Sequence, residues 1–311
     1  MTEKIKTVFF GSPSLAVPFL DEIAKSPGFD LLAAVTMSDK PAGRGSKIAQ
    51  TPVKKRALEL GFPVFHDLKD LEGISADIFC VVAFGKILPD SILSIPKFGT
   101  VNMHPSLLPK YRGPSPIMSA IANGEKETGV SIMLLDKKMD HGPLLNQVRL
   151  MIDQSETSAS LEEKIKSIGP KLLVDSISDY AAGKIIAQAQ DDNKATFCKE
   201  LSRDDGRINW DESAEIIERK IRAYEPWPGS WTIWNRNGTE IRVQMREVSI
   251  DDDCICGDRI IGTASVINNK LIVCCKDRAV SIVKIQISGK KPVDASLFIN
   301  GYADIDKAVF Y

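Results

Sequence analysis

A fully apolar run, Ile78–Phe84, constrains the fold of this chain more than any other segment. A strand without polar alternation must be covered on both faces, as the central strands of a parallel sheet are. Apolar runs at Thr7–Phe10 and Leu31–Met37 precede it, and each leads toward a segment with the residue spacing of a helix. This alternation of strand and helix predicts an α/β domain built on a doubly wound parallel sheet.

The strand-and-helix pattern extends to about residue 190 and then changes. Beyond Trp231 the chain consists of short strand-like runs, and Asn237-Gly238 and Asn268-Asn269 have the composition of hairpin turns. Short strands at near-regular spacing predict a small all-β barrel. We therefore predict an α/β domain at 1–189, a linker at 190–206 and a β-barrel domain at 207–311.

The composition excludes several classes of protein. The chain has 311 residues and a net charge of −1, and no apolar run approaches the roughly 18 residues that a membrane helix needs. No secretory signal is visible at its start. The six cysteines lie mostly in apolar runs and lack the usual spacing of zinc ligands. We therefore predict a cytoplasmic protein with reduced thiols, no metal and no membrane contact.

One segment departs from this neutral balance. Residues 36–56 carry a net charge of +5 and include Pro41, Gly43 and Gly45. Such a run is either a solvated surface loop or an exposed loop that contacts a polyanion.

A second informative stretch is VNMHPSLLPKYRG, residues 101–113. Asn102 and His104 share one face of a predicted strand, and the chain turns away directly after them. Ligands of open parallel sheets bind at the carboxyl ends of strands, and Asp140 follows the next predicted strand in a loop that could reach the same crevice. An amide, an imidazole and a carboxylate that converge can carry out acyl transfer by stabilising an oxyanion and moving a proton.

Other chemistries fit less well. Gly11-Ser12-Pro13 lacks the later glycines of a dinucleotide-binding fingerprint, and no serine lies in a G-x-S-x-G turn. The nucleophile should therefore come from the substrate. A plainer interpretation treats Asn102 as a turn residue and His104 as a structural histidine. We read His66 as a surface residue and His141 as filling a gap near Asp140.

These residues resemble the 10-formyltetrahydrofolate-dependent formyltransferases. Residues 102–109 match the family's Asn-x-His-x-Ser-Leu-Leu-Pro signature, and Asp140 in Asp-x-Gly matches its catalytic aspartate. Four stretches are typical of the branch that acts on initiator methionyl-tRNA, namely residues 39–45, 51–54, 206–210 and 221–228. The resemblance covers about residues 5 to 300. His141 and Pro143 stand at positions that vary within the family.

The resemblance implies a Rossmann-like domain followed by an OB-like barrel that binds the tRNA body. It also implies that the donor is 10-formyltetrahydrofolate, that Asn102 and His104 stabilise the oxyanion, and that Asp140 orients His104 and assists proton transfer. The implied folate contacts are Ser106, Leu107, Leu108, Pro109, Phe84, Gly85, Ile87 and Leu88. The implied tRNA contacts are Lys40, Arg44 and Lys47, and we expect a monomer.

Three alternatives fit these residues less well. A formyltransferase for amino-sugar nucleotides shares the core, but a small sugar does not require the +5 loop. The glycinamide ribonucleotide branch typically lacks the second domain. A non-catalytic RNA-binding protein would not need Asn102, His104 and Asp140 together. One observation opposes a tRNA-binding barrel, because residues 205–311 hold 15 basic and 16 acidic residues.

Overall fold

The structure is a computed structural model that describes residues 3–42, 47–252, 256 and 260–311. The chain divides into two compact units. The first comprises residues 1–116, 127–151 and 162–198, and the second comprises residues 117–126, 152–161 and 199–311. Residues 190–198 therefore belong to the first unit. The predicted division at 1–189, 190–206 and 207–311 stays a proposal.

The first 198 residues contain nine strands and five α-helices within the described part of the chain. The strands are β1 Ile5–Gly11, β2 Phe29–Val35, β3 Lys40–Ala42, β4 Lys47–Ala49, β5 Val64–Phe65, β6 Ile78–Val82, β7 Thr100–His104, β8 Glu127–Leu134 and β9 Leu144–Met151. The helices are α1 Val17–Lys25, α2 Pro52–Glu59, α3 Asp90–Leu93, α4 Pro116–Ala122 and α5 Ser158–Ala181.

Seven of these strands form one sheet in the order β5-β2-β1-β6-β7-β8-β9. The first five run parallel, which confirms the predicted doubly wound architecture. All five residues of β6 are buried, as the apolar run indicated. The last two strands differ from a purely parallel sheet, because β8 runs antiparallel to β7 and β9 runs antiparallel to β8.

The direction of β8 matters for the loop that follows it. Leu134 at the end of β8 pairs with Val101 near the start of β7, so the β8–β9 loop leaves from the amino end of β7. The loop must then fold back over the sheet for Asp140 to reach His104. The sequence indicated that Asp140 and His104 meet, but it did not indicate that the β8–β9 loop starts at the amino end of β7 and folds back.

The second unit is built on an antiparallel sheet. Its order is β10-β11-β14-β13-β12, and β15 pairs with β14. Its elements are α6 Ala214–Tyr224, β10 Ser230–Arg236, β11 Thr239–Asp251, β12 Ala264–Ile267, β13 Lys270–Cys274, β14 Ala279–Ile287, β15 Val293–Asp294 and α7 Ala295–Gly301. This curved sheet confirms the predicted small barrel domain.

Both predicted hairpin turns are present in this unit. Asn237-Gly238 joins β10 to β11, and Asn268-Asn269 joins β12 to β13. All four residues have positive φ, between 50° and 81°, as the tight turns that match strand twist require. The core beneath the sheet is formed around Trp234, which is 1% exposed. No helix in the described ranges is long and apolar enough to cross a membrane.

The aromatic core beside β6 leads to a prediction about the stability of the first unit. The Phe79 side chain is 0% exposed and its ring lies 5.1 Å from that of Phe10. Phe79→Ala should lower the free energy of unfolding by about 3–5 kcal/mol, because the variant loses the buried ring and leaves a cavity where the ring packed. Leu58→Ala is the control, since Leu58 is 50% exposed and its loss should cost no more than about 0.5 kcal/mol.

Urea unfolding followed by far-UV circular dichroism measures this change. All four tryptophans lie between residues 210 and 234, so their fluorescence reports on the second unit. A Phe79→Ala protein that unfolds at the same urea concentration as Leu58→Ala would contradict the packing described.

Candidate active site

Strand β7 presents Asn102 and His104 on the same face of the sheet. Asn102 pairs with Val81 on β6 and with Met133 on β8, so its backbone is held from both sides. The two residues are 9% and 4% exposed. Within the described part of the chain, no side-chain hydrogen bond engages the Asn102 amide. Its N–H groups are therefore available to a substrate.

The imidazole of His104 is oriented by a backbone carbonyl. Its Nε2 lies 2.9 Å from the carbonyl oxygen of Tyr111. Because a carbonyl can only accept, Nε2 must carry the hydrogen, and Nδ1 of the neutral ring is left with a free lone pair. Nδ1 lies 3.5 Å from Oδ1 of Asp140. The structure thus brings His104 and Asp140 together, and the orienting group is Tyr111, which the sequence did not indicate.

Asp140 is held in an unusual conformation. Its φ is +48°, in the left-handed region that few non-glycine residues occupy. Its Oδ2 accepts a hydrogen bond from the backbone N–H of Gly113 at 2.8 Å. The glycine of Asp-x-Gly is also required here, since a Cβ on Gly142 would lie 1.9 Å from the carbonyl oxygen of Leu134.

Burial dominates the electrostatics of the imidazole. It lowers the pKa of His104 below the usual 6.5, while the Asp140 carboxylate and the Tyr111 carbonyl oppose that shift. The ring is therefore neutral near pH 7. A neutral imidazole with a free lone pair beside a carboxylate can accept a proton and hold it as a stabilised imidazolium.

The Ser106–Pro109 bend is shaped by buried polar contacts. The Ser106 hydroxyl donates to the Lys110 carbonyl at 2.6 Å and so closes the turn. The Ser131 hydroxyl donates to the Ser106 carbonyl and accepts from the Leu108 N–H. Gln147 donates to the Leu108 carbonyl at 2.9 Å. Ser106 and Leu108 are thus buried within the bend, while Leu107 and Pro109 are half-buried.

The Phe84–Leu88 segment divides into buried and exposed residues. Phe84 and Leu88 belong to the apolar core, and the Phe84 ring meets that of Phe10 edge-on at 5.4 Å. Gly85 has a φ of +85° at the turn between them. Ile87 is 84% exposed, so it is the apolar side chain of this segment that a ligand could cover.

The predicted tRNA contacts are described only in part. The backbones of Lys40 and Lys47 form the short antiparallel pair β3-β4, and Arg44 lies outside the described residues. Two other cations of the 36–56 segment are neutralised. Lys54 pairs with Asp39 at 2.7 Å, and Arg56 pairs with Asp21 at 2.7 Å. Lys54 and Arg56 are therefore each paired with a carboxylate.

Several residues that surround the site were not indicated by the sequence. Arg112 is 4% exposed and bonds to Gln190 and Asp192, both of which were expected in a linker. His141 lies between the carboxylates of Asp136 and Asp192, at 2.6 and 3.3 Å. No metal-binding group of three or more His, Cys, Asp or Glu side chains is present among the described residues.

Family models match most of the chain. A formyl transferase model matches residues 4–177, and a formyl transferase C-terminal domain model matches residues 200–303. A methionyl-tRNA formyltransferase from Roseiflexus sp. (strain RS-1) is 40% identical over 300 residues, which cover 94% of this chain and 91% of that protein. One from Pseudoalteromonas translucida (strain TAC 125) is 38% identical over 98% of this chain and 96% of its own length.

Solved structures share the fold. The sugar 3N-formyl transferase WlaRD, crystallised with dTDP and 5-N-formyl-THF, has a TM-score of 0.66 at 21% identity and covers 93% of this chain and 100% of its own. An N-formyltransferase from Helicobacter canadensis in complex with folinic acid and dTDP-3-aminofucose has a TM-score of 0.67 at 19% identity, covering 89% and 98%. At these identities the likeness concerns architecture.

The lowered pKa of His104 predicts how stability changes with pH. The unfolded chain protonates this histidine near pH 6.5, whereas the folded chain does so at lower pH. Between these values the unfolded state binds more protons, so stability falls as the pH is lowered below about 6.5. His104→Asn removes this contribution, and its free energy of unfolding should decline less between pH 7.5 and pH 5.5.

Urea unfolding at several pH values, for the parent and for His104→Asn, measures the two slopes. Only the slopes are compared, so a constant loss of stability in the variant does not affect the result. Parallel curves for the two proteins would show that His104 is not held neutral by burial.

Proposed function

This chain belongs to the methionyl-tRNA formyltransferase family, and we propose that Asn102, His104 and Asp140 carry out its chemistry. Members of this family transfer the formyl group of 10-formyltetrahydrofolate to the α-amino group of methionine on initiator tRNA, and thereby support translation initiation. The observation that carries the proposal is the position of Nδ1 of His104, which has a free lone pair 3.5 Å from the Asp140 carboxylate.

His104 handles the proton of the reaction. The attacking amine must lose a proton as its nitrogen bonds to the formyl carbon, and the folate nitrogen must gain one as its bond to that carbon breaks. Nδ1 accepts the first proton and returns it to the leaving nitrogen, so no proton is gained or lost overall. Asp140 stabilises the intermediate imidazolium through its adjacent negative charge.

Asn102 supports the negative charge that develops on the formyl oxygen. Its amide N–H groups lie on the same face of β7 as the imidazole and have no competing partner among the described residues. The protonated Nδ1 of His104 supplies a second donor to the same oxygen. Donors fixed by a sheet need no reorganisation during the reaction, which makes them effective in a buried site.

For the folate we propose a division of roles. Ile87 supplies apolar surface, because it is 84% exposed. Phe84, Gly85, Leu88, Ser106 and Leu108 set the shape of the two turns that flank the site, while Leu107 and Pro109 line the bend beside His104.

Replacement of the oxyanion donor tests the chemical roles. Asn102→Ala should lower kcat by about 10²- to 10³-fold, as removal of one oxyanion donor does, while the KM for 10-formyltetrahydrofolate stays within about threefold. Asn146→Ala is the control, because Asn146 is an exposed asparagine on β9. Steady-state formylation of charged initiator tRNA measures both constants. A kcat within a few-fold of the parent would exclude the oxyanion role.

For the tRNA we propose contacts from both units, beginning with Lys40, Arg44 and Lys47. In the second unit we propose an arginine–tryptophan cluster, defined as Arg203, Arg207, Arg242, Trp227 and Trp231.

Arg242 stacks over Trp231 with its guanidinium carbon 3.8 Å from the ring centre, and its Nε is buried without a partner among the described groups. Burial and the charge of Arg203 lower the pKa of Arg242. Such a cation gains more from an approaching phosphate than a cation already paired.

The cluster also explains how a domain without net positive charge attracts a polyanion. Four other described arginines of this unit have acidic partners, namely Arg222 with Glu218, Arg236 with Asp304, Arg246 with Glu225 and Arg278 with Glu215. None of the three cluster arginines forms an ion pair with a described carboxylate. Three of the four described arginines of this unit that lack an ion pair thus lie in this cluster, beside Trp227, which is 47% exposed and could stack on a base.

Salt dependence distinguishes this cluster from ordinary surface charge. Arg207→Ala should raise the KM for tRNA and reduce the slope of log(kcat/KM) against log salt by about one, since one phosphate contact is lost. Arg236→Ala is the matched control, because Arg236 is paired with Asp304. The folate KM should not change in either variant. Equal slopes for Arg207→Ala and Arg236→Ala would remove the cluster from the tRNA interface.

We further propose that the protein acts in the cytoplasm as a monomer. The first follows from the location of translation, in which its relatives take part. The second is tested by sedimentation of the purified protein.

A further inference from the structure

We infer that Gln190 is a positioning residue for formyl transfer, because its side-chain amide fixes the backbone on both sides of His141 and so aims the Asp140 carboxylate at His104. The inference rests on the proposed role of Asp140. Gln190 lies in the segment 190–206 that the sequence predicted to be a linker.

The backbone at Asp140 requires external support. A non-glycine residue with a φ of +48° lies in a sparsely populated region, and such a conformation persists only where the surroundings hold it. The amide nitrogen of Gln190 donates to the carbonyl oxygen of Asp140 at 2.9 Å and to that of Gly142 at 2.8 Å. One side chain thus bridges two carbonyls of the loop that carries the carboxylate.

The orientation of the Gln190 amide is set by a buried cation. Its Oε1 accepts from Nε and Nη2 of Arg112, at 3.1 and 2.9 Å. A guanidinium can only donate and the two carbonyls can only accept, so a flipped amide would face donor with donor and acceptor with acceptor. The amide therefore accepts from Arg112 on one side and donates to the two carbonyls on the other. No other side chain of similar size combines these two roles.

Arg112 connects this support to the other half of the site. It lies between Tyr111, whose carbonyl orients His104, and Gly113, whose N–H holds the Asp140 carboxylate. Through Gln190, the same arginine supports the loop that carries the Asp140 carboxylate. Because Arg112 is the neighbour of Tyr111 in the chain, it also holds the segment that orients the imidazole.

An outer contact closes the network. Nη2 of Arg112 donates to Oδ1 of Asp192 at 2.8 Å, and Oδ2 of Asp192 lies 3.3 Å from Nε2 of His141. Nδ1 of His141 is 2.6 Å from Oδ2 of Asp136, at the start of the same loop. The Arg112 hydrogen bond, together with His141, lowers the pKa of Asp192. His141 thereby ties the start of this loop to Asp192 in the 190–198 segment, an arrangement available here because a histidine follows Asp140.

Gln190→Glu isolates the donor function. The variant keeps the size of the side chain and its contact with Arg112, but presents a carboxylate oxygen to the carbonyls of Asp140 and Gly142. We expect kcat to fall about 10- to 100-fold, as when a supporting hydrogen bond of a reactive group is lost. The KM values for folate and tRNA should stay within about threefold, and the acidic limb of the pH–rate profile should shift to higher pH because a negative charge now lies near the His104–Asp140 pair.

Gln188→Glu is the matched control. It makes the same chemical change two residues away, at an exposed side chain of the same segment. It should leave kcat, both KM values and the pH profile unchanged. If Gln190→Glu yields no folded protein, Gln190→Asn serves instead, since it shortens the reach to the two carbonyls, and it should show the kcat loss without the pH shift.

Asp140→Asn in the same assay separates the two proposals. If Asp140→Asn retains activity, the proposed role of Asp140 is wrong. If Asp140→Asn is inactive and folded Gln190→Glu has a kcat within twofold of the parent with an unshifted profile, only the positioning inference is overturned. A rise in KM with kcat unchanged would also overturn it, because that result indicates substrate binding and not alignment of Asp140.

Discussion

The three-residue segment Tyr111–Gly113 holds both titratable groups of the proposed site, and the rest of the arrangement depends on it. The Tyr111 carbonyl sets the tautomer of His104, and the Gly113 N–H holds the carboxylate of Asp140. Backbone groups serve this purpose well, because a carbonyl and an N–H cannot exchange donor and acceptor roles as pH changes. Tyr111 and Gly113 both have positive φ, so the backbone at these two residues turns sharply.

Close packing explains why this segment keeps its conformation. A Cβ on Gly113 would lie 2.1 Å from the carbonyl oxygen of Cys198, so only glycine fits. The segment also pairs with residues 196–198, where the Arg112 N–H donates to Thr196 and the Cys198 N–H donates to Arg112. Residues near 190–198 therefore contribute to the first unit and to the proposed site. Their polar composition suggested a linker because the partners that satisfy them lie far away in the sequence.

The proposed arginine–tryptophan cluster of the second unit illustrates why net charge is a weak guide to a nucleic-acid surface. Its acids and bases nearly cancel in number, yet ion pairs neutralise many of the cations locally. Three of the four described arginines without such partners lie around Trp227 and Trp231. An approaching phosphate responds to the local field, which screening limits to about 8–10 Å in physiological salt, and not to the sum over the domain.

The sequence by itself determined the class of the fold and indicated the residues that we propose as the reactive groups. An apolar run such as Ile78–Phe84 favours a strand covered on both faces, and Asn-Gly and Asn-Asn pairs favour the tight hairpin turns found here. The spacing of Asn102 and His104 placed both on one face of β7, since side chains of a strand alternate. These conclusions rest on local periodicity, which a sequence displays directly.

Only the tertiary structure decided how those groups are held. The antiparallel direction of β8, the Tyr111 carbonyl opposite His104 and the Gln190 amide beneath Asp140 each join residues that are distant in the chain or belong to the backbone. Backbone donors and acceptors are the same for nearly every residue, so no letter of the sequence marks the ones that will orient a side chain. Their roles arise when the chain packs, because burial forces each polar group to find a partner of matching character.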